Sequence, residues 1–324
     1  MEHASWLLLA IAAAFGCAMV VPLVGFRCQG RLSELAAWCA VPGILACPLL
    51  IPSANIGLRA ASAFVSIDLA FKVVDFFRYR SNARHNITLR EYCWFLIPFP
   101  VLSIVYPDHK RRLPQPDNPW PHVARLGIGT LGFIAGFVLL QALAGNALLR
   151  SEFLLDHAVK IPIFVLAIES LSCALYGLER LAGFDTRPIV AGVFKSRTVA
   201  EFWQRYNYRV HDWHYRHVFR AAGGQRAPAR AMALVFLVSG LYHELMFGIA
   251  TSQFDGSQLA FFLTQAPAAL ASGRIERWVR KGGIARKIAA HGFTILFLSL
   301  TSILFFRGVS RVFPFIYASG TRFP

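Results

Sequence analysis

An all-α fold, a polytopic membrane helix bundle of about eight spans plus one re-entrant segment, is what this sequence predicts. Three observations predict it. The 324 residues are 56% hydrophobic and 14% aromatic with only 15% charged, too apolar for an ordinary soluble domain. The apolar residues gather into runs near the roughly 20 residues that cross a bilayer core. The 33 Lys and Arg against 17 Asp and Glu give a net charge of +16, and the basic residues fall between the apolar runs. That placement fits cytoplasmic loops and anionic lipid headgroups, and argues against nucleic acid as the partner.

Taken in order, Ser5 to Phe26 is a near-continuous apolar run followed by Arg27 and Arg31. With no basic residues ahead of it, it reads as a retained first span with its N-terminal end outside, not as a cleaved signal peptide. Leu35 to Ile51 and Ile56 to Phe77 are the second and third spans, joined by the uncharged turn Pro52-Ser53-Ala54-Asn55. Asp68, Lys72 and Asp75 share a face near the inner end of the third, at a spacing that suits an intrahelical ion pair. Arg78 to Arg90 is a basic loop. Tyr92 to Tyr106 is apolar but short, is interrupted by Pro98 and Pro100, and runs into His109-Lys110-Arg111-Arg112. A span there would put a second basic loop outside, so a re-entrant or interfacial segment is expected. Pro107 to Pro121 reads as an ordered surface loop.

Val123 to Ala144 is a glycine-bearing span, which allows close helix packing. Leu154 to Leu181 is long for one span, with Pro162 inside, Lys160 toward its outer end and Glu169 near its middle. Ala182 to Ala229 is the longest polar stretch. Met232 to Ala250, the marginal Leu259 to Ala271 and Ile288 to Phe306 complete the spans, with a basic loop from Gly273 to Lys287. An outside N-terminus puts the basic loops inside; the tail residues Arg307, Arg311 and Arg322 run against that pattern.

Familiar chemistries are missing. His243-Glu244 begins like H-E-x-x-H, but Phe occupies position 247. No G-x-S-x-G, phosphate-binding loop or G-x-G-x-x-G occurs. Cys17, Cys28, Cys39, Cys47, Cys93 and Cys173 form no C-x-x-C pair and read as small core residues. His211, His214 and His217 recur every third residue, which turns successive rings about 60° around a helix, so no metal is assigned to them.

Two stretches stand out. Thr198 to Phe219 has no Gly or Pro and opens with Thr198 three residues before Glu201, a capping-box start. Read as one helix, it places Val199, Phe202, Trp203, Tyr206, Val210 and Trp213 on an aromatic face. Arg205, Arg209, Arg216 and Arg220 share a basic one, and Asn207, His211 and His214 a third. The second stretch is the apolar run around His243. An ionisable group inside a span marks a pathway or a reaction, and a neutral imidazole is the least costly one to bury there. Glu244 points about 100° away from it around the helix.

The residues Phe202-Trp-Gln-Arg-Tyr-Asn207, His211-Asp-Trp-His-Tyr-Arg-His217 and Ser239-Gly-Leu-Tyr-His243-Glu resemble the membrane-bound O-acyltransferase superfamily. The likeness is greatest to its wax synthase-like branch, related to diacylglycerol and sterol O-acyltransferases. Tyr206 stands where the wax synthase motif has Trp, and the Asp of the sterol and diacylglycerol block is missing. The resemblance implies a single integral membrane acyltransferase domain over 1–324. A motif-bearing cytoplasmic loop and helix would cover 182–229, and a catalytic-histidine span 230–251. It implies His243 as general base and Asn207 as the second catalytic residue, orienting the acceptor or stabilising the developing oxyanion. Phe202, Trp203, Tyr206, Arg209, His211, Trp213 and Arg216 become candidate substrate-binding residues.

The partners so implied are acyl-CoA as co-substrate, a lipophilic alcohol and membrane lipids, with no cofactor. The acceptor stays open among a fatty alcohol, giving a wax ester, diacylglycerol, a sterol and other alcohols. The Ala- and Arg-rich composition points to a bacterial inner membrane rather than endoplasmic reticulum. The competing expectation is a transporter that relays protons through Glu169, Lys160 and His243 with no ester chemistry.

Overall fold

The structure, a computed structural model, describes residues 2–28, 31–82, 88–96, 118–184, 186–317 and 323. These residues form helices and no strand. They fall into two compact bodies, Met1–Arg111 with Leu245–Phe254, and Arg112–Glu244 with Asp255–Pro324.

The first body holds α1 (Glu2–Gly25), α2 (Arg31–Ala46), α3 (Ile56–Asn82) and the short α4 (Leu89–Leu96). Ala10, Ala14 and Ala18 recur every fourth residue along α1 and are fully buried. Small residues at that spacing let helices approach closely where no hydrophobic effect drives them together. The core below is aromatic: Tyr92 packs edge-on to Phe76 and Phe77, with ring centroids 4.8 and 5.4 Å away. The Tyr92 hydroxyl donates to the Ala18 carbonyl at 2.7 Å, so its polar end is satisfied inside an apolar cluster. Lys72 pairs with Asp68 one turn back at 3.2 Å, both buried, as their spacing predicts.

The second body holds α5 (Trp120–Ala144), α6 (Ala147–Ser151), α7 (Phe153–Leu181), α8 (Val199–Arg205), α9 (Tyr208–His214), α10 (Pro228–Thr251), α11 (Ser257–Arg280) and α12 (Ile284–Val312), apart from the end of α10. α5 lies directly on α7 because Gly129 leaves no side chain between them. A Cβ there would sit 2.5 Å from the Ser170 carbonyl oxygen.

One face of α7 is polar and carries the chain that leads to the site. The Glu169 carboxylate accepts from the Gly192 amide, and the Ser172 hydroxyl both accepts from the Val190 amide and donates to its carbonyl. Glu179 accepts from Thr186 and from Arg209. Glu169 thus holds a loop, and Lys160 is closed in an ion pair with Asp156 at 2.6 Å.

Among the described residues, six helices are long and apolar enough to cross a membrane: α1, α2 (continued to Leu50), α5, α7, α10 and α12. The expected count of eight is not confirmed by these six. α3 and α11, at 27 and 24 residues, are long enough, but their charged and amide side chains leave them outside those six. The expected re-entrant segment at 92–106 and the loop after it lie mostly outside the described residues, as does Arg322. Arg307 and Arg311, whose charges run against the predicted topology, both pair with Asp255, at 3.3 and 2.7 Å. The six cysteines form no disulfide; Cys47 is buried and Cys39 exposed.

Candidate active site

The helix expected over Thr198–Phe219 is broken. Thr198 caps α8 as its sequence predicts, its hydroxyl accepting from the Glu201 amide at 3.2 Å. α8 then ends at Arg205, and Asn207 takes a left-handed conformation with φ 55° and ψ 61°. Asn is among the few residues that adopt this region readily, because its short amide can bond locally. Its Oδ1 accepts from the Val210 amide at 3.2 Å and starts α9 in a new direction. A widened turn over Tyr215–Phe219 follows. Such turns are frequent at functional sites.

The break undoes the single basic face. Arg205 pairs with Glu201 at 2.9 Å and Arg216 with Asp212 at 3.1 Å. Arg209 is buried, bonded to the Glu179 carboxylate and to the Arg187 carbonyl. Its Nη2 serves the loop that α7 carries, while Nη1 is buried with no hydrogen-bond partner among the described residues. Trp213 is buried against the His217 ring, 4.6 Å between centroids. Arg209, Trp213 and Arg216 therefore lie outside the cavity that the other candidates line.

That cavity has a volume of about 390 Å³. α7, α8, α9, α10, α11 and α12 all contribute to its wall, and its lining is mostly apolar, with a few converging polar groups. His243, Asn207, Phe202, Trp203, Tyr206 and His211 all line it, together with His214, Ser239 and Tyr242. The aromatic residues hold one another: Tyr206 stacks on Phe202 at 5.4 Å, and Trp203 meets Phe262 at 5.4 Å. Gln265 fixes the Trp203 indole, accepting from Nε1 at 3.4 Å and donating to Thr301 at 3.1 Å. Burial pushes the Tyr206 phenol up to about 12, so it stays a neutral hydroxyl.

The geometry at His243 settles its tautomer. Nδ1 lies 2.8 Å from the backbone carbonyl of Ser239, one turn back on α10. A carbonyl only accepts, so Nδ1 carries the proton and Nε2 carries the lone pair. The ring is wedged between Tyr242 and Phe262, at 4.1 and 4.3 Å between centroids, with Phe305 edge-on at 5.7 Å. Glu244 takes no part: its carboxylate accepts from the amides of Gly256, Gln258 and Leu259 and anchors the start of α11. The chemistry on offer is a neutral imidazole with one basic nitrogen, in a lipophilic chamber that also presents an asparagine.

Sequence reasoning gave no part in the chamber to His214, Ser239 or Tyr242, and no part behind Trp203 to Gln265. Ser239 was within reach of it, since a residue four before His243 shares its helix face.

Residues 157–254 match the MBOAT, membrane-bound O-acyltransferase, family model. Diacylglycerol O-acyltransferase 1C of Glycine max is 22% identical over 238 residues, 68% of this chain and 45% of that protein. Sterol O-acyltransferase 2 of Homo sapiens is 25% identical over 265 residues, 74% of this chain and 49% of that protein. The same enzyme of Mus musculus is 29% identical over 193 residues, 53% and 35%. The chain thus spans a little under half the length of the first curated relatives it matches, at 45–47%. These matches do not single out the wax synthase-like branch. Over residues 157–254, from α7 to just beyond α10, the chain carries the membrane-bound O-acyltransferase family match that its motifs led one to expect.

Proposed function

We propose that the protein is an O-acyltransferase of the bacterial inner membrane that moves a fatty acyl group from acyl-CoA to the hydroxyl of a lipophilic acceptor. A fatty alcohol, yielding a wax ester, and diacylglycerol are the acceptor classes in view. The observation that carries the reading is the basic Nε2 of His243, fixed by its Nδ1–H bond in the same apolar chamber as Asn207. The reaction then runs in one displacement. Nε2 takes the proton of the acceptor hydroxyl as its oxygen attacks the thioester carbonyl carbon. The carbonyl oxygen gathers negative charge, for which the Asn207 amide N–H is the suited donor. The C–S bond breaks, and the CoA thiolate takes the proton from the imidazolium. The products are an ester and free CoA, and no acyl-enzyme forms.

The exposed part of the lining is of two kinds, which suits two unlike substrates. His211, Tyr215 and Gln225 are polar, and suit the entry of a CoA ester from water. Phe194 and Ile295 are apolar, 38% and 42% exposed, and suit entry from lipid. Losing a positioned general base costs on the order of 10²–10⁴ in rate. His243→Ala is therefore expected to lose ester formation by that factor while the purified protein keeps its melting temperature and its acyl-CoA binding. Near-normal turnover in a folded His243→Ala preparation would refute the mechanism.

A further inference from the structure

Two phenylalanines close one end of the chamber that holds His243. Phe306 of α12 and Phe164 of α7 both line it, are buried, and meet edge-on with ring centroids 5.0 Å apart. A polar network backs this floor. His157, which does not itself line the chamber, lies 5.4 Å from the Phe306 ring, and its Nε2 is 3.2 Å from the Ser299 carbonyl. A carbonyl only accepts, so Nε2 carries the proton and Nδ1 accepts from the Tyr317 hydroxyl at 2.6 Å. The Lys160 ammonium lies over the Tyr317 ring, 5.0 Å from its centre. Both ring nitrogens of His157 are satisfied, and a fully bonded buried network is rigid. The floor therefore resists displacement by a longer ligand.

The depth of the chamber is set by its rings. Centroid steps of 5.7 Å from His243 to Phe305 and 6.2 Å from Phe305 to Phe306 bound the distance from base to floor. An extended chain advances about 1.2 Å per bond, so no more than about ten carbons fit between them. The volume agrees. A cavity of about 150 Å³ takes the six carbons of benzene, so the chamber's 390 Å³ takes about fifteen carbons. The acyl chain, the thioester and the hydroxyl-bearing end of the acceptor share that space. The polar rim at His211, Tyr215 and Gln225 suits CoA and the apolar one at Phe194 and Ile295 the tail of the acceptor, which leaves the floor to the acyl chain. We infer that Phe164 and Phe306 form a chain-length stop that selects a medium-chain acyl-CoA, of about ten carbons, over palmitoyl and oleoyl donors. The inference rests on the acyltransferase reading and specifies its donor.

The test measures binding of octyl-, decyl-, tetradecyl- and hexadecyl-CoA thioethers, which transfer no acyl group, to the full chain in one detergent. Affinity should peak at decyl-CoA, with hexadecyl-CoA about tenfold weaker, because methylenes forced into a packed wall are destabilising. Phe306→Ala should move the optimum to tetradecyl-CoA, and Phe306→Trp should move it to octyl-CoA. Opposite shifts from one position are not produced by misfolding or by partition into micelles. Phe164→Leu should act in the same direction as Phe306→Ala and serves if that variant does not fold. Ester formation from decanoyl- and palmitoyl-CoA, with cetyl alcohol and dioleoylglycerol as acceptors, should follow the same order in kcat/KM. A wild-type optimum at hexadecyl-CoA, or an optimum unmoved in folded Phe306 and Phe164 variants, overturns the stop and leaves acyl transfer standing. The expected optimum without ester from either acceptor overturns acyl transfer and leaves the stop standing. No binding of any thioether overturns both.

Discussion

At the scale of single residues, Asn207 carries two duties that ordinary mutagenesis would confuse. It adopts a left-handed backbone, caps α9 through Oδ1 and lines the chamber. Asn207→Ala removes the amide, loses a cap worth about 0.5–2 kcal/mol and forces a Cβ-bearing residue without a local bond into a disfavoured region. Asn207→Gly keeps the backbone geometry at a cost of only a few tenths of a kcal/mol to the cap. We predict that Asn207→Gly keeps a melting temperature near wild type yet loses kcat in ester formation, whereas Asn207→Ala loses both. Full activity in Asn207→Gly would reduce Asn207 to a hinge. The place of His243 in the chamber was legible in the sequence because an ionisable group inside an apolar run marks a pathway or a reaction. The kink was not, since a capping box and an uninterrupted aromatic pattern both favour one continuous helix. The signal was Asn207 itself, a helix-starting residue eight places after the α8 start.

At the scale of elements, Arg209, read from the sequence as donor-binding, takes part in holding α9 in place. Arg209 and Glu179 are 5% and 0% exposed, and their pairing ties α9 to the polar face of α7. Removing one partner of a buried pair strands the other charge, at about 3–5 kcal/mol, while replacing both by neutral groups costs much less. We expect Arg209→Ala to destabilise the detergent-solubilised protein by about that amount, and Arg209→Met with Glu179→Gln to recover most of it. A raised KM for acyl-CoA with unchanged stability in Arg209→Ala would return Arg209 to the donor site. The helices themselves were readable from hydropathy, with bounds near the expected spans. What a helical wheel could not supply is the loop over 186–192, because the partners that satisfy it lie on α7, 7 to 23 residues back, and come into reach only when the chain folds back along that helix.

For the whole molecule, the distribution of charge still orients the chain. Asp255 offsets two of the basic residues that oppose the expected topology, so the segment Ala182 to Ala229 is predicted to face the cytoplasm and Ser252 to Ser257 the outside. In a cysteine-free background, Tyr215→Cys should resist an impermeant thiol reagent applied to intact cells and Gln253→Cys should react; the reverse pattern inverts the protein in its membrane. The His243 ring reaches past all its side-chain neighbours to bond its own helix backbone, at the Ser239 carbonyl. That tether cannot be removed by changing any side chain. The reactive centre is thereby insulated from drift in the surrounding wall. Under the proposed mechanism, residues such as Phe261, Ile295 and Leu298 can be exchanged, by evolution or by an engineer, to recut the chamber for new alcohols while His243 keeps its orientation.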